Sequence, residues 1–198
     1  MSRTAKKIDR VEGDRYQTPV STIESLLPYL DLERVNTFLE PCIGKGNILN
    51  TVSPHLKKTC SIFTTEIDKD SNYFENKFSN IDLIITNPPF SQALPFLEKS
   101  LAEAKTVIYL LRLNFLASQG RKEFWSQYPP DYLFVLSKRP CFVWTCKNKT
   151  CKQKYSVGTK VCLCGGKIGP GTDATEYAWF VWDSANLIDE NTNWITVL

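Results

Sequence analysis

Nothing in the 198-residue chain stays apolar for long. No stretch approaches the roughly 18 uninterrupted apolar residues of a membrane span. Residues 1–15 are charged and carry no apolar signal-peptide segment. Both absences predict a soluble, cytoplasmic protein with no membrane partner. A reducing compartment disfavours disulfides, so the seven cysteines, an odd number, read as metal ligands plus buried thiols. The sequence has no internal repeat, and its one histidine, His55, follows Pro54 near a helix end and is given no role. Acidic residues are missing from residues 138–167, where Lys138, Arg139, Lys147, Lys149, Lys152, Lys154, Lys160 and Lys167 stand. The whole chain carries only +3, so removing those eight charges leaves −5 for the rest. A basic segment on a mildly acidic body is expected of a protein that meets a polyanion through that segment.

What is present fits one main domain with a small appendage, at 42% hydrophobic residues. Residues 1–15 read as a flexible N-terminal tail. Val20, Ile23, Leu26, Leu27 and Leu30 recur at helical spacing, and Pro28 bends or ends that helix. Residues 35–40, 59–66, 81–86, 106–111 and 132–136 are apolar or β-branched runs of the buried-strand type. Residues 93–104 and 118–127 have helical spacing and composition. Strands alternating with helices predict an α/β fold with a mostly parallel sheet. The alternation breaks at a Cys- and Lys-rich stretch, residues 141–172, then resumes with an aromatic strand at 176–182. The stretch therefore reads as an insertion between the last two strands.

Two loops carry chemistry. The first, Glu40-Pro41-Cys42-Ile43-Gly44-Lys45-Gly46-Asn47, follows a strand and precedes a helix, where an α/β sheet binds ligands at its carboxyl edge. Its glycines let backbone approach a cofactor, and the lack of a Gly-Lys-Ser/Thr ending excludes a P-loop. Glu66, at the end of the next strand, stands where a carboxylate accepts hydrogen bonds from a ribose. The second loop is Asn87-Pro88-Pro89-Phe90, directly after residues 81–86. Its two prolines fix a rigid turn at a strand's carboxyl end. An exocyclic amino group conjugated to a ring is a poor nucleophile until its hydrogens meet acceptors. The Asn87 side-chain carbonyl and the Pro88 backbone carbonyl can be those acceptors, acting electrostatically on charge that develops at nitrogen, with Phe90 stacked on the base.

Together, residues 40–47, Glu66 and residues 87–90 resemble the amino-methyltransferases that use S-adenosylmethionine, in particular the small phage and prophage adenine-N6 DNA methyltransferases. Tyr16-Gln17-Thr18-Pro19 resembles that family's N-terminal aromatic-x-Thr-Pro element. Arg139-Pro140 and residues 173–182 resemble its final hairpin. The likeness spans residues 16–140 and 173–183. It implies a Rossmann-like class I methyltransferase fold, with a core of residues 16–140 plus 173–198. It also implies S-adenosylmethionine held by Tyr16, Thr18, Pro19, Glu40, Pro41, Gly44, Gly46, Asn47, Glu66 and Asn87, and catalysis by Asn87, Pro88, Pro89 and Phe90. The implied substrate is adenine in double-stranded DNA, and the core is a monomer or weak dimer, in a host cytoplasm if phage-encoded. The same loop also serves enzymes that methylate structured RNA or protein glutamine. Only fourteen residues, 67–80, follow the second strand, where the family fits a helix, a strand and another helix. Asp68 and Asp70 are weak choices for the contact to the cofactor's adenine.

The insertion carries Cys146-x4-Cys151-x10-Cys162-x-Cys164-Gly165-Gly166. Four thiols in two close pairs, with glycines beside the second, suit a tetrahedral structural zinc site of ribbon or knuckle type, against two disulfides or free thiols. Some twenty polar residues without a core need such a cross-link. Lys147, Lys149, Lys152, Lys154 and Arg139 are the expected nucleic-acid contacts, with Phe142 and Trp144 at the base placed to wedge or stack. Cys42, Cys60 and Cys141 are expected to be buried or loop thiols, and Lys45 solvated.

Overall fold

A computed structural model describes residues 16–67, 71–148, 150–151, 153–156, 161–170 and 175–198. The N-terminal tail, Asp68, Asp70, Lys149, Lys152 and Lys160 lie outside the described residues. Seven strands form the main sheet: β1 (Thr37–Glu40), β2 (Ser61–Thr64), β3 (Ile81–Thr86), β4 (Ala104–Arg112), β5 (Tyr132–Val135), β9 (Tyr177–Asp183) and β10 (Ile195–Val197). A separate three-stranded sheet holds β6 (Val143–Cys146), β7 (Lys154–Ser156) and β8 (Ile168–Pro170), between β5 and β9. The main sheet runs in the order β10-β5-β9-β4-β3-β1-β2, and only β9 is antiparallel to its neighbours.

The central strands are buried on both faces, which is why they read as continuous apolar runs rather than alternating ones. On β9, Tyr177, Trp179 and Val181 pack into one core cluster, while Ala178, Phe180 and Trp182 pack into the other. That is the period of two a strand imposes. Val107, Tyr109 and Leu111 of β4 face one way and Ile108 and Leu110 the other. The Trp179 indole N–H donates to the Thr22 carbonyl at 3.1 Å, tying helix α1 (Val20–Glu24) to the sheet.

The apolar spacing of residues 20–30 produces less helix than it promised. The α-helix stops at Glu24, and Leu27–Tyr29 form a 3₁₀ turn with Pro28 in its first positions. Proline has no N–H to continue the ladder. Residues 118–127 likewise divide into a 3₁₀ turn, Gln119–Arg121, and helix α4 (Lys122–Gln127). Helix α3 (Ala93–Glu103) and helix α2 (Asn47–Val52) lie where expected.

No strand forms in the described residues between β2 and β3. The connection holds a 3₁₀ turn, Tyr73–Glu75, and β2 is consequently a sheet edge, exposed at all four positions. Aromatics fill the missing layer. Tyr73 is buried, its ring stacks on Phe78 and Phe96, and its hydroxyl meets Ser100 and Glu103 at 2.9 and 2.8 Å. At the opposite edge β10 adds a strand that three residues of sequence could not announce. It pairs parallel with β5, so the insertion lies between the fifth and sixth strands of seven.

Candidate active site

The loop after β1 is held from three sides. Gly46 closes it at φ +81°, and its N–H donates to the Ile43 carbonyl at 2.7 Å. The Glu66 carboxylate accepts from the Gly44 N–H at 2.7 Å, so one of its oxygens shapes the loop. Residues 16–19 lie over the loop. Gln17 Oε1 accepts from the Lys45 N–H at 2.9 Å, and Asn47 Nδ2 donates to the Thr18 carbonyl at 2.8 Å. Gly44 adopts φ +50°, a backbone conformation that favours glycine, and the Gln17 amide lies over it where a Cβ would stand 2.6 Å from Nε2. A pocket results, lined by Tyr16, Thr18, Glu40, Gly44, Asn47 and Asn87 among others. Pro19 is the N-cap of α1 and Pro41 is buried in the loop, whereas the Lys45 side chain is exposed.

Glu40 ends β1 at 1% exposure and accepts from the Leu49 N–H at 2.9 Å. Burial, reinforced by the neighbouring Glu66 charge, pushes its carboxyl up from 4.5 to about 8. A carboxyl raised on folding binds its proton more tightly in the native state. Its contribution to stability is therefore fullest below about pH 4.5 and is lost as pH climbs through about 8. Glu40→Gln keeps the acceptor for Leu49 and removes the titration. Between pH 6 and pH 9 the melting temperature of the variant should gain on the parent by several degrees, at about 2–4 °C per kcal/mol for a chain of this size. Parallel melting curves across that range would show that Glu40 does not titrate there.

At the end of β3 the Asn87 amide is oriented by two acceptors. Its Nδ2 donates to the Tyr16 carbonyl at 2.9 Å and to Thr18 Oγ1 at 3.1 Å. The Tyr16 carbonyl can only accept, which fixes the amide's orientation. Its other end, Oδ1, is buried and has no hydrogen-bond partner among the described residues. A buried carbonyl without a donor is costly, about 1–3 kcal/mol, and in a native structure points to a ligand that completes it. Pro88 is buried and Pro89 half-buried beside it.

Phe90 lies in an aromatic cluster that the sequence did not disclose. Its ring stacks on Tyr16 at 5.8 Å and meets Tyr177 at 5.7 Å and Phe142 at 6.4 Å. The Arg112 guanidinium sits over the ring, 4.6 Å from its centre, and Arg112 Nε donates to the Tyr177 hydroxyl at 3.3 Å. An arginine closing an otherwise buried strand was the available signal for Arg112. Phe142 is only 6% exposed and packs on Tyr16 and Tyr177 at 5.6 and 5.1 Å. It therefore roots the insertion at the active loop and is not free to wedge. Trp144 is half-buried and packs against the cysteine cluster.

In the insertion, the sulfurs of Cys146, Cys151, Cys162 and Cys164 all lie within 4.8 Å of one another, with the Cys146–Cys164 and Cys151–Cys162 pairs at 3.5 Å. A tetrahedron of thiolates about 2.3 Å from a central ion has edges of about 3.8 Å. The four sulfurs thus form a cluster that could hold a metal. The Asn148 and Cys164 N–H groups point at Cys146 and Cys162 sulfurs at 3.4 and 3.5 Å. The Tyr155 hydroxyl, 2.7 Å from the Cys162 sulfur, pulls that thiol down to about 6. Gly165 turns at φ +77°, and a Cβ on Gly166 would stand 2.7 Å from the Cys146 sulfur. Cys42, Cys60 and Cys141 are half-buried, apart from this cluster.

The basic residues divide. Lys147 is exposed on the insertion, and Lys154 begins β7. Arg139, also exposed, is paired with Glu176 at the neck. No described helix is long and apolar enough to cross a membrane.

No family model and no curated protein sequence matches the chain. Its fold is nevertheless found among solved structures. A proposed RNA methyltransferase from Pyrococcus horikoshii superposes with a TM-score of 0.58 at 14% identity, covering 85% of this chain and 87% of that one. A proposed class I S-adenosylmethionine-dependent methyltransferase from Listeria monocytogenes gives 0.55 at 10% identity over 96% and 68%. An S-adenosylmethionine-dependent O-methyltransferase from Thermotoga maritima gives 0.52 at 9% identity over 90% and 69%. The chain has the Rossmann-like fold of class I methyltransferases, with a four-cysteine insertion near its C-terminal strands.

Proposed function

We propose that this protein transfers a methyl group from S-adenosylmethionine to the N6 amino group of adenine in duplex DNA. The observation that carries the reading is the Asn87 amide: its nitrogen is engaged by Tyr16 and Thr18, and its oxygen is left as a buried acceptor. An acceptor held in this way takes a hydrogen from an amino group and draws its lone pair out of the ring, with the Pro88 carbonyl taking the second hydrogen. Such a site needs no strong base. The pocket between residues 16–19 and the loop after β1 seats the cofactor, through Tyr16, Thr18, Pro19, Glu40, Pro41, Gly44, Gly46, Asn47 and Asn87, with Glu66 beyond the loop it braces as the ribose acceptor. Bound there, S-adenosylmethionine supplies an electrophilic methyl on a sulfonium.

Adenine within a duplex must leave the stack to reach Asn87, at a cost of a few kcal/mol. Phe90 offers the face that offsets it, and the base takes the place over the ring that the Arg112 guanidinium now holds. In this reading residues 16–140 and 173–198 are the catalytic core. The insertion, residues 141–172, is a zinc ribbon whose cysteines hold a structural Zn²⁺ and whose Lys147, Lys149, Lys152 and Lys154, with Arg139 at the neck, face phosphates.

The test of substrate class offers labelled S-adenosylmethionine with unmethylated duplex DNA, structured RNA and a protein extract. Label is expected in DNA. Label in RNA or protein alone would keep the chemistry and assign the insertion to another partner.

A further inference from the structure

Leu163 is 92% exposed, an extreme for a large apolar side chain, and Val161 beside it is 64% exposed. Leu163 stands between Cys162 and Cys164, two of the four clustered cysteines. The turn that carries it is closed by hydrogen bonds from Gly165 N–H to the Cys162 carbonyl at 2.8 Å and from Cys162 N–H to the Gly166 carbonyl at 3.0 Å. Gly165 and Gly166 follow directly and have no side chains to shield it. A leucine held out on a rigid turn forgoes the burial that makes such side chains stabilising, and a partner that accepts it recovers that free energy.

The partner's charge is set by the surroundings. Residues 138–167 contain eight basic residues and no acidic one, and among the described ones exposed Lys167 bridges to Val161, two residues from Leu163, so the segment suits a polyanion. Within a nucleic acid, the apolar surface open to a leucine is the stack of bases, and apolar side chains do enter between base steps and unstack them. The aromatics of the insertion that could have served, Phe142 and Trp144, are packed inward. The tip is also close to the chemistry. Phe142 lies 6.4 Å from Phe90, and β6 runs on from it to Cys146 over roughly 13 Å. Added end to end, the two steps place Cys146 within about 20 Å of Phe90, less than the about 34 Å turn of a duplex.

We infer that Leu163 is a wedge: with Lys147 and Lys167 on phosphates, it enters duplex DNA and opens the stack near the adenine presented to Asn87. This inference rests on the reading of the protein as a DNA adenine methyltransferase. The test compares kcat/KM on linear double-stranded plasmid DNA with that on the same DNA heat-denatured, where no stack needs opening, and requires no knowledge of the recognition sequence. Leu163→Ser should lower the duplex to single-strand ratio about tenfold or more, while Leu163→Met, still apolar, keeps the ratio of the parent. Metal content and melting temperature are measured on each variant. A Leu163→Ser ratio equal to the parent's overturns the inference. So does an equal loss on both substrates accompanied by loss of metal, since Leu163 would then only support the fold. A parent that methylates denatured DNA alone also overturns it, whereas a parent silent on both forms shows instead that the underlying reading has failed.

Discussion

Asn87→Ala is expected to lower methyl transfer at saturating cofactor by about 10²–10³-fold or more, the size of effect seen when one preorganised electrostatic partner is removed from a reaction centre. The structure also defines a smaller, separate effect. Asn87 Nδ2 holds the Tyr16 carbonyl and Thr18 Oγ1, so the alanine variant loosens residues 16–19, leaving Gln17 and Thr18 tied to the loop through Lys45 and Asn47. Two lost hydrogen bonds of about 1 kcal/mol each should weaken cofactor affinity by up to about 30-fold. Turnover and cofactor dissociation constant, measured on one preparation, separate the two. Turnover that falls no further than affinity would make Asn87 a tether and remove it from the chemistry.

The second large effect concerns the insertion. One equivalent of zinc per chain is expected by elemental analysis, and Cys162→Ser should lose it, because a thiolate tetrahedron missing one corner binds far more weakly. The cluster of Cys146, Cys162 and Ile168, with Trp144, Cys151 and Tyr155, is the only core among the described residues of the insertion, so that segment should melt with the metal. The main sheet has its own two clusters and should melt within a few degrees of the parent. Duplex binding should fall by about tenfold or more as the lysines lose their common frame. Turnover should fall too, because Phe142 connects the insertion to Tyr16 and Phe90. A zinc-free protein with intact duplex affinity would remove the metal from the account.

Much of this was legible in the chain because the informative residues are punctuation. Glycines at positive φ, two consecutive prolines and paired cysteines announce their geometry locally. Strands β3, β4 and β9 were legible for the opposite reason: they are buried on both faces and read as uninterrupted apolar runs. What stayed hidden depends on distant partners. Phe142 looks like an exposed ribbon aromatic until Tyr16 and Tyr177 are placed around it. Arg139 reads from sequence as a bare positive charge, and its ion pair with Glu176, on the far side of the insertion in sequence, becomes visible only when the two are placed together. Strand β10 has three residues and no periodicity of its own, and exists because β5 offers it an edge. The helix of residues 20–30 failed locally: its apolar spacing was sound, but Pro28 removed a donor that spacing does not count.

The most direct test of the central claim is the identity of the methylated atom. Unmethylated duplex DNA incubated with the protein and labelled S-adenosylmethionine is digested to nucleosides and separated. An acceptor amide with no strong base requires the label on an exocyclic amino nitrogen, and the account predicts N6-methyladenine. N4-methylcytosine would keep the role of Asn87 and change the base. A methyl on carbon, as in 5-methylcytosine, would contradict the account, because the buried Asn87 carbonyl would then have no part in the reaction.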